Sequence, residues 1–307
     1  MNINRALKKL AGRLGIKKML LPVYDFIYRG KNHELMSKYD KKSTAYGLNK
    51  EKRNFELTVS FTTFPARIGA AAYVADAMLR QTLKPDRIIL ALAYEEFASK
   101  KDLPDEYEAL EKRGLTIVFV ENLRPHNKYY FAMSNYPNSI VITVDDDVLY
   151  PDDVLETLYH SYKMHPHAVS AMRAHRILFQ DRALLPYNRW EFESTYSAKP
   201  ELDLFATGVG GALYPPGCMH EDLLDEKLIK WLSPDNDDIW LKFMQLKSRT
   251  PVALAVNKRI KLLYLPGSQK AALSSKNVDK SLNDRYIKNC MDYLQLTPDG
   301  LFDMIKA

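Results

Sequence analysis

The sequence predicts an α/β fold in which a Rossmann-like, mostly parallel sheet is flanked by helices. The 307 residues are 46% hydrophobic and 27% charged, which is typical of a globular chain long enough to bury a core. Between residues 57 and 144, apolar segments rich in β-branched residues alternate with helical patterns, and this alternation favours a parallel sheet. Three aspartates follow the last of these segments, at the strand end where such sheets bind ligands.

The N-terminal part differs from the rest and is predicted to be a basic helical extension and linker, residues 1–55. Residues 1–53 contain 14 Lys and Arg against 4 Asp and Glu, whereas the remainder contains 30 against 34. The opening MNINRALKKLAGRLGIKKML places apolar residues at helical spacing with basic residues largely between them. We expect residues 1–25 to contact an anionic membrane surface. A solvated or self-packed helix is the alternative, and no nucleic-acid partner is expected.

The cysteines and the hydropathy of the sequence indicate the cellular compartment of the protein. Cys218 and Cys290 form no spaced pair that would indicate a disulfide framework or a zinc site. The apolar run at residues 19–23 is too short to span a bilayer, and no small-residue cleavage site follows it. We therefore expect a cytoplasmic protein, peripheral on the inner face of the cytoplasmic membrane.

The first half of the main body, about residues 56–165, is predicted to carry the sheet. Its apolar, β-branched segments predict strands at residues 57–63, 87–93, 115–120 and 139–144. Helical patterns between and after them predict helices at residues 67–83, 105–113 and 129–136, and one that has Pro151 in its first turn. Gly114 is expected to end the second of these helices in a left-handed conformation.

The second half, about residues 166–300, is less regular. Residues 207–217 (TGVGGALYPPG) are predicted to be a flexible Gly/Pro loop. An acid-rich start and an apolar face predict a helix at residues 235–247. Further strands are expected at residues 252–256 and 260–265, and a closing helix at residues 282–294.

The aspartate triplet Asp145, Asp146 and Asp147 predicts a metal site. Adjacent carboxylates repel one another, and Mn²⁺ or Mg²⁺ relieves this cost by taking hard oxygen ligands while substrate phosphates complete its shell. If the strand continues through the triplet, alternation places Asp145 and Asp147 on one side and Asp146 on the other. We expect Asp147 and Asp145 to bind the metal and Asp146 to accept ribose hydroxyls. A solvated acidic turn before the next helix is the alternative.

The strand, the DDD triplet and the following helix resemble the GT-A class of nucleotide-sugar glycosyltransferases. The run NKYYFAMSNYPNSIVITVDDDVLYPDDVLETL is similar to bacterial members that build capsular or lipopolysaccharide glycans, and distantly to the exostosin-like transferases. The resemblance covers residues 57–246. It implies a GT-A domain at residues 56–300, with a donor-binding half at about 56–165 and an acceptor half at about 166–300.

The resemblance also implies the reaction. It is the metal-dependent transfer of a sugar from a nucleotide-sugar, with a UDP-sugar expected as the donor. The implied acceptor is a hydroxyl of a bacterial surface glycan or its lipid-linked precursor.

Donor-binding residues follow from the same resemblance. The first strand and its loop hold the nucleoside in such enzymes, which indicates Thr62, Thr63 and Arg67. A basic residue ahead of the DDD strand meets the base or diphosphate, and Lys128 is the matching position. Lysine suits this role as a point charge for phosphate. Asp145 and Asp146 join the donor-binding set, and ordinary surface charges are the alternative for the two basic residues.

The DDIW sequence at residues 237–240 resembles the GT-A helix that projects a carboxylate toward the acceptor hydroxyl. The resemblance implies that Asp238 takes the acceptor proton as the catalytic residue, with Asp237 the second candidate. Helix capping by Asp235 or Asn236, with acids in the first turn, is the alternative, and both functions are compatible.

Two weaker features complete the site. The loop from Gly208 to Gly211, with Gly210 and Gly211 as its site residues, is expected to offer backbone N–H groups to the donor sugar or the acceptor, with a plain turn as the alternative. Many class members supply a late histidine to the metal, but the last histidine here is His220, which precedes DDIW. We therefore expect the aspartates, the diphosphate and water to bind the cation.

Two other functions stay open at this point. One is a sugar nucleotidyltransferase, although SFTTFPARI lacks the Gly-rich phosphate loop that this class needs after the first strand. The other is a non-catalytic carbohydrate- or membrane-binding protein with the same fold. Retaining and inverting chemistry are both compatible with the motifs.

Overall fold

The computed structural model describes residues 36–37, 46–266 and 282–306. The predicted amphipathic helix and most of the linker lie outside these residues. Within the described residues, no helix combines the length and the apolar character that crossing a membrane requires.

Strands and helices follow the chain in an alternating order through its first half. The strands are β1 (Leu57–Thr62), β2 (Arg87–Ala93), β3 (Leu115–Val120), β4 (Ile140–Thr143), β5 (Val148–Leu149), β6 (Val169–Ala171), β7 (Ala174–Arg176), β8 (Phe179–Gln180), β9 (Ala183–Leu184), β10 (Leu204–Ala206), β11 (Ala212–Tyr214), β12 (Val252–Leu254) and β13 (Leu263–Tyr264). The α-helices are α1 (Ile68–Arg80), α2 (Glu106–Arg113), α3 (Tyr130–Asn135), α4 (Val154–Met164), α5 (Glu226–Leu232), α6 (Asp237–Lys247), α7 (Leu282–Tyr293) and α8 (Pro298–Lys306).

A seven-stranded sheet in the order β12-β6-β11-β4-β1-β2-β3 forms the centre of the fold. Strand β11 runs antiparallel to both of its neighbours, β4 and β6, and the other pairings are parallel. This arrangement confirms the predicted α/β class with a mostly parallel sheet. It also places the carboxyl ends of β1 and β4 side by side, because these two strands pair in parallel.

The first four strands are confirmed to within one residue of their predicted ends. The side chains of β1, β2 and β4 are almost entirely buried, as in β2, where Ile88, Leu90 and Leu92 are fully buried, whereas edge strand β3 is partly exposed. Continuous apolar runs of this kind are typical of strands covered on both faces. One hydrophobic cluster joins β1, β2 and β4 to helices α1 and α4, and a second joins β6, β10 and β11 to α6 and α7.

Two helix ends show how well local sequence signals predict where a helix begins or ends. Gly114 has a φ of 117° and its N–H donates to the carbonyl of Leu110, which confirms the predicted left-handed cap of α2. Helix α4 begins at Val154, so Pro151 precedes the helix and is not in its first turn. Gln81 explains this start, because its side chain donates to the Pro151 carbonyl at 2.8 Å and accepts from Leu155 N–H at 3.1 Å.

The prediction of a flexible loop over residues 207–217 is wrong in part. Residues 212–214 form β11, a buried strand in the interior of the sheet. Its three residues are too few to show a period, and glycines and prolines flank them. The strand exists because β4 and β6 supply hydrogen-bond partners along both of its edges. Helix α8, at residues 298–306, was not predicted.

Candidate active site

The aspartate triplet follows β4 in a turn at the carboxyl edge of the sheet. Strand β4 ends at Thr143, and Asp146 and Asp147 lie in the turn that leads to β5. The end of β1 lies alongside, and Thr63 Oγ1 donates to Asp146 Oδ2 at 2.6 Å. Two predicted site residues from separate strands therefore meet, as parallel pairing of β1 with β4 requires.

Arg67 contacts two of the three aspartates. Its guanidinium lies 2.8 Å from Asp146 Oδ1 and 3.1 Å from Asp147 Oδ2. The expected alternation, with Asp146 opposite the other two, is therefore wrong. It required the strand to continue, whereas the chain turns after Val144 and brings Asp146 and Asp147 to the same guanidinium.

Lys128 connects the triplet to the second acidic motif. Its Nζ lies 2.6 Å from Asp145 Oδ1 and 3.0 Å from Asp237 Oδ2, and the residue is 9% exposed. Burial alone would lower the pKa of Lys128, but the charges of Asp145 and Asp237 raise it well above its ordinary value. Lys128 is therefore charged, and it holds together carboxylates from residues far apart in the sequence.

A buried histidine positions the turn that carries Lys128. His126 lies in the same 3₁₀ helix, Arg124–Lys128, and is fully buried. One ring nitrogen lies 2.9 Å from Tyr129 Oη, and the other lies 2.7 Å from the Ser233 carbonyl. Burial lowers the pKa of His126, so the ring is neutral and ties this turn to the loop before α6.

The second acidic motif opens helix α6. Asn236 caps the helix by accepting from Ile239 N–H at 2.9 Å, so the capping function belongs to Asn236 and leaves Asp237 and Asp238 available. Asp238 Oδ1 accepts from Gly208 N–H at 2.9 Å. Burial, and then the charge of Asp237, raise the pKa of Asp238 to about 8. A carboxylate with a raised pKa is suited to accept a proton near neutral pH.

Gly208 occupies the space between the two acidic motifs. A Cβ on this glycine would lie 2.8 Å from Lys128 Nζ, 3.3 Å from Asp238 Oδ1 and 3.4 Å from Asp145 Oδ1. The sequence prediction covered the loop from Gly208 to Gly211 as a whole, and no sequence signal distinguishes Gly208 within it. Only the tertiary structure shows that a side chain is excluded here.

Gly210 and Gly211 lie further along the same segment, in the turn into β11. Both have positive φ, 98° and 101°, which favours glycine. A Cβ on Gly210 would meet Ile260 Cδ1 at 2.7 Å, and one on Gly211 would meet Leu158 Cδ1 at 3.3 Å. Their contacts are thus with apolar side chains, and their proposed contact with donor or acceptor stays a prediction.

The remaining predicted residues lie apart from these contacts. The Thr62 hydroxyl donates to the Ala91 carbonyl at 2.7 Å, so it stabilises the pairing of β1 with β2. His220 lines a cavity together with Ser139 and Tyr136, next to the amino end of β4. The triplet follows the opposite end of that strand.

Tyr150 is a further residue that was missed. Its hydroxyl accepts from the backbone N–H of Asp145 at 2.7 Å, and its ring is buried. This bond fixes the first residue of the aspartate turn. A tyrosine five positions after an aspartate carries no recognisable sequence signal, because the contact depends on the path of the turn.

The donor chemistry of these side chains suits a divalent cation. Five carboxylates, those of residues 145–147 and 237–238, meet at this edge, and their ion pairs in the described residues are with Arg67 and Lys128. Burial, and then the charge of Asp145, raise the pKa of Asp147 to about 7. The site thus concentrates hard oxygen donors and excess negative charge, which Mn²⁺ or Mg²⁺ neutralises.

The chain is similar to several solved structures at low sequence identity. No protein-family model matches the chain, and no curated protein matches its sequence. Similar solved structures include the mannosyltransferase PcManGT from Pyrobaculum calidifontis in complex with GDP-Man and Mn²⁺, at 12% identity and TM-score 0.47 over 98% of this chain and 84% of that chain. S. aureus TarS 1–349 matches at 12% identity and TM-score 0.44, over 68% of this chain and 59% of that chain. CMP:2-keto-3-deoxy-manno-octonic acid synthetase complexed with CTP matches at 10% identity and TM-score 0.39, over 74% of this chain and 100% of that chain.

Similarity at this level concerns the fold. The chemistry of this chain rests on its own site residues.

Proposed function

We propose that this chain is a metal-dependent glycosyltransferase that moves a sugar from a nucleotide-sugar to a hydroxyl of an acceptor glycan. One observation carries the proposal: Lys128 lies between the triplet at the end of β4 and the acidic start of α6, within 3.0 Å of a carboxylate from each. A donor-binding motif and a candidate base are thereby brought to one edge of the sheet, where α/β proteins bind ligands.

The triplet forms the donor side of the proposed site. Asp145 and Asp147 would hold the cation, which when bound neutralises the donor diphosphate and stabilises the departing nucleotide. Arg67 and Lys128 are the cationic side chains next to these ligands, and both suit contact with phosphate oxygens. Asp146, held by Thr63 and Arg67, is the proposed ribose contact.

Asp238 forms the acceptor side. As the acceptor oxygen bonds to the anomeric carbon, the bond to the diphosphate breaks, and Asp238 accepts the proton of the acceptor hydroxyl. The Gly208 N–H occupies Asp238 Oδ1 and so leaves Oδ2 for that proton. This arrangement positions the carboxyl group for general-base catalysis.

The partners of the reaction follow the sequence resemblance. We propose a UDP-sugar as donor and a bacterial surface glycan, or its lipid-linked precursor, as acceptor. The basic extension at residues 1–25 would bring the enzyme to an anionic membrane where such precursors lie.

The first test separates metal, donor and catalytic functions. The Asp147→Ala variant should lose Mn²⁺-dependent binding of UDP or GDP by calorimetry, whereas Asp238→Asn should keep nucleotide affinity and lose turnover. Asp105→Ala, which removes an exposed carboxylate, is the control for both. Unchanged Mn²⁺-dependent binding by Asp147→Ala would refute the metal site, and near-normal transfer by Asp238→Asn would exclude it as the base.

The released product tests the reaction class. A glycosyltransferase releases a nucleoside diphosphate from a nucleotide-sugar, whereas a sugar nucleotidyltransferase releases pyrophosphate from a nucleoside triphosphate. Phosphorus NMR of the full chain with Mn²⁺ and each substrate distinguishes the two. Pyrophosphate as the product would replace our proposal with the nucleotidyltransferase function.

A further inference from the structure

A group of aromatic side chains lies beside the acidic start of α6, outside the contacts described for the site. Phe192 is the exposed member, at 39% of its surface. Its ring lies 4.4 Å from the ring of His175 and 5.6 Å from that of Tyr187, which in turn packs against buried Trp190 at 4.9 Å. The exposed ring is thus supported from behind by a packed aromatic layer and held in place.

A backbone connection links this layer to the proposed base. Thr207 N–H donates to the Arg173 carbonyl at 3.1 Å, and the next residue, Gly208, donates to Asp238. The segment that carries the base contact therefore also runs beside Arg173, at the edge of the aromatic layer.

The residue after Phe192 carries a paired carboxylate. The Glu193 carboxylate lies between two guanidinium groups, 3.4 Å from Arg173 and 2.9 Å from Arg259. The Arg259 side chain is 63% exposed and pairs with Glu193 through Nε. The exposed guanidinium therefore offers further N–H donors next to the carboxylate.

The backbone at this point is strained. Glu193 has a φ of 55°, in the left-handed region that non-glycine residues rarely adopt. Its N–H donates to His175 Nδ1 at 3.0 Å. Burial lowers the pKa of His175 to about 3, so the ring is neutral and its nitrogen accepts this bond. Strain of this kind persists where the surroundings hold it and is common at ligand sites.

We propose that Phe192, Glu193 and Arg259 form the acceptor subsite and bind a hexopyranose residue of the acceptor glycan. The inference rests on the proposed glycosyltransferase function and adds the chemical class of the acceptor contact. A pyranose presents an apolar C–H face and a rim of hydroxyls. An exposed aromatic ring, followed in the chain by a carboxylate paired with an exposed guanidinium, offers groups for both parts.

The surroundings of Phe192 favour a sugar over a protein partner. Protein-binding surfaces that are apolar extend over several large side chains. Here the exposed apolar side chain is a single ring, and the next residue, Glu193, lines a small cavity with Arg173, Lys258 and Arg259. One apolar face near several polar groups is typical of small-molecule sites.

The test uses the full chain and methyl β-glycosides of glucose, galactose and N-acetylglucosamine as probes. Saturation-transfer NMR should show binding of at least one glycoside to the wild type. Phe192→Ala should weaken it by roughly ten-fold, and Phe192→Tyr should keep it. Trp231→Ala, which removes a ring that is 68% exposed on α5, should bind as the wild type does.

Further variants and a separate nucleotide measurement complete the design. Phe192→Leu keeps an apolar side chain without the ring, and it should also lose binding if Phe192→Ala does not fold. Arg259→Met should weaken binding several-fold while it keeps the fold. Calorimetry with UDP and Mn²⁺ is run on the same samples and should be unaffected by these changes.

The outcomes are distinguishable. Glycoside binding that requires Phe192, without nucleotide binding, would uphold the sugar subsite and refute the transferase. Nucleotide binding by the wild type without glycoside binding would overturn the subsite and leave the transferase intact. Equal glycoside binding by wild type and Phe192→Leu would also overturn the inference, because the ring would then contribute nothing.

Discussion

Gly208→Ala is the substitution most informative about the site, because it adds one methyl group between the two acidic motifs. The new Cβ would lie 2.8 Å from Lys128 Nζ and 3.3 Å from Asp238 Oδ1. An ordinary contact requires Lys128 Nζ to move away by about 0.6 Å. That displacement would disturb the contacts of Lys128 Nζ with Asp145 at 2.6 Å and with Asp237 at 3.0 Å.

The expected effect on stability is small. Overpacking a site costs about 1–3 kcal/mol, and the lower value applies because the tip of a lysine side chain can shift. Gly208 does not have a positive φ, so alanine fits its backbone. Alanine also lowers the conformational entropy of the unfolded chain, which stabilises the fold by about 0.4–1 kcal/mol. The free energy of unfolding should therefore change by less than about 1 kcal/mol.

The expected effect on catalysis is large. A misplacement of about 1 Å costs roughly 100-fold in rate, and Gly208→Ala displaces the groups around the proposed base by a comparable amount. Turnover of the UDP-sugar should fall by about this factor. Urea unfolding on the same samples measures the free energy of unfolding.

Gly69→Ala is the matched control. Gly69 lies in helix α1, and a Cβ there would meet nothing within 4 Å. This variant should gain about 0.5–1 kcal/mol of stability and keep full turnover. If Gly208→Ala keeps turnover within about three-fold of the wild type, the space between the motifs is not needed and our reasoning about the site is wrong.

Three other predictions concern the rest of the molecule. Asp76→Ala should destabilise the fold by about 3–5 kcal/mol in urea unfolding, because fully buried Asp76 pairs with buried Arg113 at 2.5 Å; a loss below about 1 kcal/mol would contradict this. Burial lowers the pKa of Lys242 to about 7, so below pH 7 the folded protein holds a buried positive charge. The loss of stability is complete there, and it becomes smaller as the pH rises toward the ordinary lysine pKa. The unfolding free energy of the wild type, relative to Lys242→Met, should therefore rise above pH 7 by up to about 1.4 kcal/mol per pH unit, and a difference independent of pH would exclude this assignment. Deletion of residues 1–25 should abolish sedimentation with phosphatidylglycerol vesicles but not alter the low binding to neutral phosphatidylcholine vesicles; retained binding to the anionic vesicles would refute the membrane contact.

Local patterns in the sequence predicted the part of the fold that depends on local physics. Strands β1 to β4 are long apolar runs, and Gly114 marks a helix end, so the sequence alone indicates the parallel half of the sheet. Strand β11 has no such signal, because three residues between glycines and prolines become a strand only when β4 and β6 lie on both sides. Its stability is entirely a tertiary property.

In the candidate site, too, some features follow from the sequence and others only from the tertiary structure. Residue chemistry in the sequence identified Asp145–Asp147 as candidates, because adjacent carboxylates after a buried strand favour a cation, and the family resemblance added Lys128 and Asp238. The chain fold decided their arrangement: the turn after Val144 sends Asp146 and Asp147 to Arg67 and Asp145 to Lys128. It also placed Gly208 against Asp238. Most of these contacts join residues tens of positions apart in the chain, and loop closure over such lengths leaves no periodic or local signal in the sequence.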